Sequence, residues 1–318
     1  MAVLELEVGR LKHGSFNSKS LRRRVLLRVP LPYKVGESAY PGNANEKLRT
    51  EAATFVWIKE NCPDVPILYL WGFGFPGGQS FMRPENAPFG TRIIWHLRRA
   101  ILSQDLRVNL FRDLSRIIFS LSQLPLPRIG SWTINERGVL TLANRLLIYQ
   151  FQSLENEGIP TNIARTFTYT TANAYYINLL ACYDNRIRNQ PNFIVDEKDS
   201  RAQMANLFAM RGLLPHFTSR DLRYGLFVFN LTDLHGSNIF ITSRAVDKLE
   251  SDELQTFEKA YQDFTDIFEE EEKIFSPTYG SVICRTDIMK RGWKIGNFWY
   301  FHALKSPKGL FNLFRQHV

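Results

Sequence analysis

The sequence predicts an α+β chain in two lobes, a small strand-rich one followed by a larger, mainly helical one. Three observations predict it. At 318 residues the chain is longer than a single core usually grows. Short apolar runs bounded by turn residues dominate the first third, and helical spacing dominates the rest. One strand-loop unit, Leu226 to Ile241, interrupts the helical part. The boundary is placed so that the lobes are 1–103 and 104–318.

The elements follow in order. Gly14-Ser15-Phe16-Asn17 reads as a turn, and Val25–Val29 as a strand with Arg28 its one cation, ended by Pro30 and Pro32. Asn45 is the expected cap of a helix starting near Glu46, with Leu48, Ala52, Phe55, Val56 and Ile58 at helical spacing and Pro63 closing it. Val65–Phe73 reads as an apolar strand and Gln79–Met82 as a short one. From Phe89 the pattern turns helical. Leu106 to Leu121 is a clear amphipathic helix stopped by Pro125 and Pro127. Further helices are expected over Thr170–Asp184, Asp199–Leu213 (with Pro215 after it), Leu249–Ile274 and Trp293–Leu313. Leu226–Phe229 reads as a strand. The acidic run Glu269–Glu272 is expected to be a solvated helix face.

Composition narrows the class. The chain is 44% hydrophobic and 22% charged, ordinary for a globular protein, while 24 Phe point to an aromatic-rich core. A net charge of +9 suits anionic partners. No nucleic-acid motif accompanies it, so no nucleic-acid partner is expected. Lys19–Arg24, the dense basic run, reads as a solvated approach to the strand. Three cysteines without a C-x-x-C pair indicate neither a zinc site nor a disulfide framework, and fit reduced thiols in the cytoplasm. The N-terminus lacks the apolar core of a signal peptide and any clear transit peptide. Val65–Met82 is uncharged, yet its prolines and glycines argue against a membrane span.

The chemistry-bearing constellation is ordered as phosphoryl transfer requires. That reaction needs positioning and charge neutralisation more than covalent work. A small-residue loop lets backbone N–H groups approach phosphates, here Gly14, Ser15, Phe16 and Asn17. A strand cation contacts phosphate oxygens, here Arg28, and a helical carboxylate holds that cation, here Glu51. An Asp orients the acceptor hydroxyl, here Asp233, and an Asn ligates magnesium, here Asn238. Each residue alone is weak; the ordered set, with Asp233 and Asn238 following the strand Leu226–Phe229, is far more specific. His235 reads as packing the loop.

Longer stretches resemble the fungal aminoglycoside phosphotransferase-like family. They are Leu27-Arg28-Val29-Pro30-Leu31-Pro32, Glu46 to Ala53, Cys62 to Ile67, Leu124 to Ser131, Gln152 to Asn162, Leu231 to Phe240 and Gly292 to Trp299. The resemblance spans nearly the whole chain. It implies a protein-kinase-like fold, ATP and Mg²⁺ as cofactors, and phosphorylation of a hydroxyl on a small molecule or protein. "Aminoglycoside" here names a family and not a target.

Three departures bear on activity. The segment after Ile241, which in relatives carries a magnesium-binding Asp in an Asp-Leu-Glu-Trp-like motif, is absent. Asp247 lies in what reads as a helix start. The inter-lobe hinge is missing, because Ile101-Leu102-Ser103 runs directly into Gln104-Asp105-Leu106. The interval from Gly14 to Arg28 is short for two paired strands. The sharp joins are the mark of skipped coding segments or an inexact gene model. The chain as written is therefore expected to be an impaired phosphotransferase, the alternative being a non-catalytic kinase-like binding module or scaffold.

Overall fold

A computed structural model describes residues 2–8, 11–12, 15–16, 23–67, 70, 72–75, 78, 80–82, 104–230, 251–275, 284–305 and 314. For 2–28, 82, 104–106 and 251–254 it describes the backbone alone. The described chain is α+β, with helices predominating and strands paired in four two-stranded antiparallel sheets.

The first strand, β1 (Ala2–Val8), pairs with β4 (Arg23–Val29) in a register that sets Val3 against Arg28. Between them β2 (Leu11–Lys12) and β3 (Ser15–Phe16) form a minimal hairpin. The expected strand at Val25–Val29 is thus present and two residues longer. Its partner lies upstream of Gly14.

Helix α1 (Asn43–Asn61) starts earlier than expected. Gly42, at φ 97°, is the N-cap, and Glu37 supplies the missing acceptors. Its carboxylate takes the N–H groups of Gly42 (2.7 Å) and Ala44 (2.6 Å). These bonds outweigh partial burial and hold the Glu37 carboxyl below the usual carboxylate range. Asn45 instead accepts from Arg49 one turn on. The buried face of α1 carries Asn43, Glu46, Thr50, Ala53 and Trp57, whereas Leu48, Phe55 and Val56 are only half-buried. Of the expected apolar positions Ala52 and Ile58 are buried, and the periodicity misses the rest of the face because its N-terminal half buries polar groups against an ionic network.

Beyond α1 the expected strand Val65–Phe73 is much shorter. Val65 and Ile67 close tight turns on Cys62 and Val65, and Pro66 has no N–H for a ladder. Among the described residues of this stretch the strand is β5 (Gly72–Gly74), paired with β6 (Ser80–Met82). Phe73, Phe75 and Phe81 cluster at centroid distances of 5.1–5.9 Å.

Helix α2 (Gln104–Ser122) matches the expected amphipathic helix. It runs parallel to α6 (Ser251–Phe275), since Arg107 meets Asp263 and Phe119 meets both Phe268 and Phe275. The acidic run on α6 is a solvated face only in its first half, where Glu270 is exposed and Glu269 partly so; Glu271 and Glu272 are buried. Glu271 is buried between Arg112 (3.0 Å) and Arg116 (2.8 Å) of α2. Glu272 is buried as the cap of α7 (Arg285–Lys294), accepting from the N–H groups of Arg285 and Thr286 and the Thr286 hydroxyl. Burial is tolerated because each carboxylate is fully partnered.

A hairpin absent from the sequence reading, β7 (Ser131–Ile134) and β8 (Leu140–Asn144), packs on α1. Its turn is held by Asn135, whose amide oxygen accepts from the N–H groups of Arg137 and Val139. After it come α3 (Tyr149–Asn156), α4 (Ala172–Asn189) and α5 (Glu197–Phe217). Pro215 lies inside the last turn of α5, not beyond it. Gly296, at φ 81°, divides the expected Trp293–Leu313 helix into α7 and α8 (Asn297–Lys305).

The largest core joins α3, α4, α5 and α8 through Phe151, Leu179, Leu180, Met210, Tyr300 and Leu304. Two phenols find partners there. Tyr300 donates to the Met210 carbonyl (2.7 Å) and Tyr183 to that of Leu304 (2.8 Å). All three cysteines are free. Among the described residues no helix is long and apolar enough to cross a membrane.

Candidate functional site

Four of the expected site residues sit on backbone whose position can be stated. Ser15 and Phe16 form β3, and Arg28 lies in β4, with their side chains outside the described residues. Glu51 is on α1, where its carboxylate meets Lys47 of the preceding turn at 3.4 Å. Gly14, Asn17, Asp233 and Asn238 lie outside the described residues, as do His235 and Asp247.

The segment leading to Asp233 is well defined. It is not the expected strand Leu226–Phe229. A single bridge joins Phe227 to Leu126, whose N–H donates to the Phe227 carbonyl at 2.7 Å. Leu226 and Val228 project outward, and Gly225 at φ 119° turns the chain out of sheet geometry. Phe229 is the anchor. Its ring stacks on Trp57 of α1 at 4.9 Å, and Trp57 stacks on Trp132 of β7 at 5.8 Å. The residues immediately before Leu231 are therefore seated where the C-terminal half of α1 meets the hairpin.

At the other end of α1 lies a buried ionic network that periodicity missed. Arg145 follows β8, Glu46 lies on α1 and Glu155 on α3, and all three side chains are 3% exposed. Arg145 donates Nε to Glu46 Oε1 (2.9 Å) and Nη2 to Glu46 Oε2 (2.8 Å). It also reaches Glu155 Oε1 (2.5 Å) and Oε2 (2.9 Å), the Thr161 hydroxyl and the Ile163 carbonyl. Asn144 donates to Glu46, and Asn43 and Thr161 donate to Glu155. Arg165 places its Nε 3.3 Å from Glu46 and balances the second negative charge.

Burial disfavours the charged guanidinium of Arg145, yet its bonds to Glu46 and Glu155 more than offset this and raise its pKa. Every donor of Arg145 is used within the protein. The network has no free donor to offer a phosphate, and its role is to clamp α1, the hairpin and α3 together. Its sequence signal was a lone Arg in the otherwise uncharged run Ala143-Asn144-Arg145-Leu146-Leu147-Ile148.

A second cation faces the β5–β6 hairpin. The Arg49 guanidinium lies over the Phe75 ring at 4.0 Å and donates to the Ile134 carbonyl at 2.7 Å. It ties Phe75, just past β5, and β7 to α1. Among the described residues no group of three His, Cys, Asp or Glu side chains is gathered as a metal would require.

Mg²⁺ takes oxygen ligands with carboxylates foremost. Asn238 brings an amide, and between it and Asp247 the chain Ile-Phe-Ile-Thr-Ser-Arg-Ala-Val contains no carboxylate. No family model, no curated protein and no solved structure matches the chain.

Proposed function

We propose that this chain is a kinase-like phosphotransferase module of the fungal aminoglycoside phosphotransferase-like type, impaired in ATP-dependent transfer to a hydroxyl. One observation carries the reading. The Asp233-Leu234-His235-Gly236-Ser237-Asn238 motif follows directly on a segment anchored by Phe229 against Trp57, and no carboxylate follows it before Asp247. Asp233 would orient the acceptor hydroxyl of a small molecule or protein. Asn238 would ligate the metal. The Gly14–Asn17 loop and Arg28, with Glu51 as its partner, would face the nucleotide phosphates.

A charge clamp on a transferring phosphoryl group is worth about 10³–10⁵ in kcat, or roughly 4–7 kcal/mol of barrier. Loss of the magnesium carboxylate costs at least on that order. The same absence favours the second reading, a non-catalytic module that binds nucleotide or a partner.

Turnover of Mg-ATP by the purified chain tests the impairment. Negligible turnover is expected, and activity that vanishes in Asp233→Ala would overturn it. A thermal-shift series separates the two readings. Nucleotide at about 100 times Kd stabilises a binding-competent fold by roughly 2.7 kcal/mol, and no shift at millimolar nucleotide would remove the ATP site altogether. Sequencing the transcript across Ser103–Gln104 and Ile241–Thr242 completes the test, because extra coding sequence there would restore an active enzyme.

A further inference from the structure

One stretch of backbone offers hydrogen bonds that the described chain does not take. From Leu226 to Asn230 burial alternates, with Phe227 and Phe229 turned inward and Leu226, Val228 and Asn230 outward. That is the pattern of an extended segment. Phe227 uses its C=O on Leu126. In an extended chain the N–H and C=O groups of successive residues point to opposite sides, so those of Leu226 and Val228 face away from Leu126. Among the described residues nothing bonds to them.

Natural edges are guarded by lysine, proline or a bulge, because an open edge pairs with any extended chain. Leu226-Phe227-Val228-Phe229-Asn230 carries neither charge nor proline. Two of its three outward side chains are apolar, Leu226 at 61% exposure and Val228 at 42%.

The charge beside this edge says what kind of chain fits it. Arg220 and Arg223 precede the edge and both are exposed. Arg128 is exposed too, and lies at the same end, because the antiparallel bridge of Leu126 to Phe227 runs the following residues back towards Gly225. Backbone bonds hold these segments together, since the Ala172 N–H donates to the Arg223 C=O at 3.0 Å and Ile129 bridges Tyr169. Arg128 donates to the Thr168 hydroxyl at 3.3 Å, and Arg223 lies 5.9 Å from the centre of the Tyr224 ring. Among the described residues no carboxylate pairs with any of the three arginines. Asp221 is the one carboxylate from Arg220 to Asn230, so this end keeps a surplus of positive charge. Guanidinium groups so placed take carboxylates in paired hydrogen bonds.

We infer that Leu226–Asn230 is a docking edge for an acidic extended peptide. The peptide adds a strand through the backbone of Leu226 and Val228 and sets its carboxylates against Arg128, Arg220 and Arg223. Its alternate apolar side chains lie on Leu226 and Val228. A second copy of the same edge fits less well, because it brings the same surplus of arginine. Docking of this kind does not require that the chain transfer phosphate.

Fluorescence anisotropy with the full chain tests this. The probes are two labelled peptides, Val-Thr-Val-Thr-Val with Glu-Asp-Glu-Asp placed before it or after it. One of the two is expected to bind, and its counterpart with lysine in place of each acidic residue is not. Arg220→Glu combined with Arg223→Glu should weaken binding at least tenfold at an unchanged Tm, since both side chains are exposed. Val228→Pro, which removes one N–H from the edge, should weaken it as much. Of two forms of the peptide N-methylated at alternate residues, one should lose binding and the other keep it, a readout that leaves the chain itself unaltered. No binding of either peptide at about 500 µM chain overturns the inference. So does equal binding of the lysine peptide, or binding by both methylated forms. Self-association that Val228→Pro abolishes would assign the edge to a second copy. Sedimentation with phosphatidylcholine–phosphatidylserine vesicles that is lost in the double arginine variant, without peptide binding, would assign the arginines to a lipid surface. Either result likewise overturns it.

Discussion

Arg145 and Glu46 meet through two hydrogen bonds, Nε to Oε1 at 2.9 Å and Nη2 to Oε2 at 2.8 Å, across 99 residues of chain. Both side chains are almost fully buried. Glu155 occupies the other side of the same guanidinium. Three segments distant in sequence are thereby held in one geometry, and α1 is oriented so that Trp57, near its C-terminal end, meets both the hairpin and Phe229.

Removing the cation should be costly. Arg145→Met leaves Glu46 and Glu155 buried and facing each other, a loss of about 3–5 kcal/mol for a broken buried pair. Urea unfolding at pH 7 reads the loss. A cost under 1 kcal/mol would show that the network is dispensable.

Glu272 gives the stability a pH dependence. Burial alone would raise its pKa, but the Thr286 hydroxyl and the N–H groups of Thr286 and Arg285 more than reverse this and lower it. A depressed carboxylate contributes stability present above the unfolded value of about 4.3 and lost as pH falls through the folded one. Glu272→Gln should cost about 1–3 kcal/mol at pH 7. The gap between parent and variant should close as pH drops from about 5 to 3. A gap that stays constant over that range would mean the carboxylate charge contributes nothing.

Trp57 is the link between α1 and the segment before the Asp233 loop. Its ring contacts Trp132 and Phe229 and is 4% exposed. Trp57→Ala should destabilise by about 3–5 kcal/mol and should accelerate amide exchange over 226–230, which otherwise has one bridge to hold it. Unchanged exchange there would show that Phe229 is held by other contacts.

The thiols should divide by accessibility. Burial pushes the Cys182 thiol up to about 12 and raises that of Cys62 as well. Cys284 is also raised, by burial first, yet it alone of the three is partly exposed. A native-state titration with a disulfide reagent at pH 8 should therefore find one prompt thiol, absent in Cys284→Ser. Two or more prompt thiols would contradict the packing around Cys62 or Cys182.

Much of the fold was legible because its signals are local. The strand ending at Val29, the helix from Gln104 to Ser122 and the breaks at proline follow from spacing and from missing N–H groups. The hairpin 131–144 was missed although its turn signal, Asn135 to Gly138 between Ser-Trp-Thr-Ile and Val-Leu-Thr-Leu, is local too. At the candidate site, residue type and order suggested Asp233, Asn238, Arg28 and Glu51. The side chain of Glu51 is described, and its partner is Lys47.

Other features were illegible in principle. Glu271 and Glu272 read as a solvated acidic face because nothing nearby in sequence pairs with them. Arg112 and Arg116 come from α2, about 155 residues earlier, and Thr286 comes from the next helix. The sequence by itself determined where helices and turns lie and which ordered motif the chain carries, since backbone sterics and side-chain periodicity act over a few residues. Only the tertiary structure decided which charges are buried, because a buried carboxylate is stable only beside its partner, and that partner comes from a distant part of the chain.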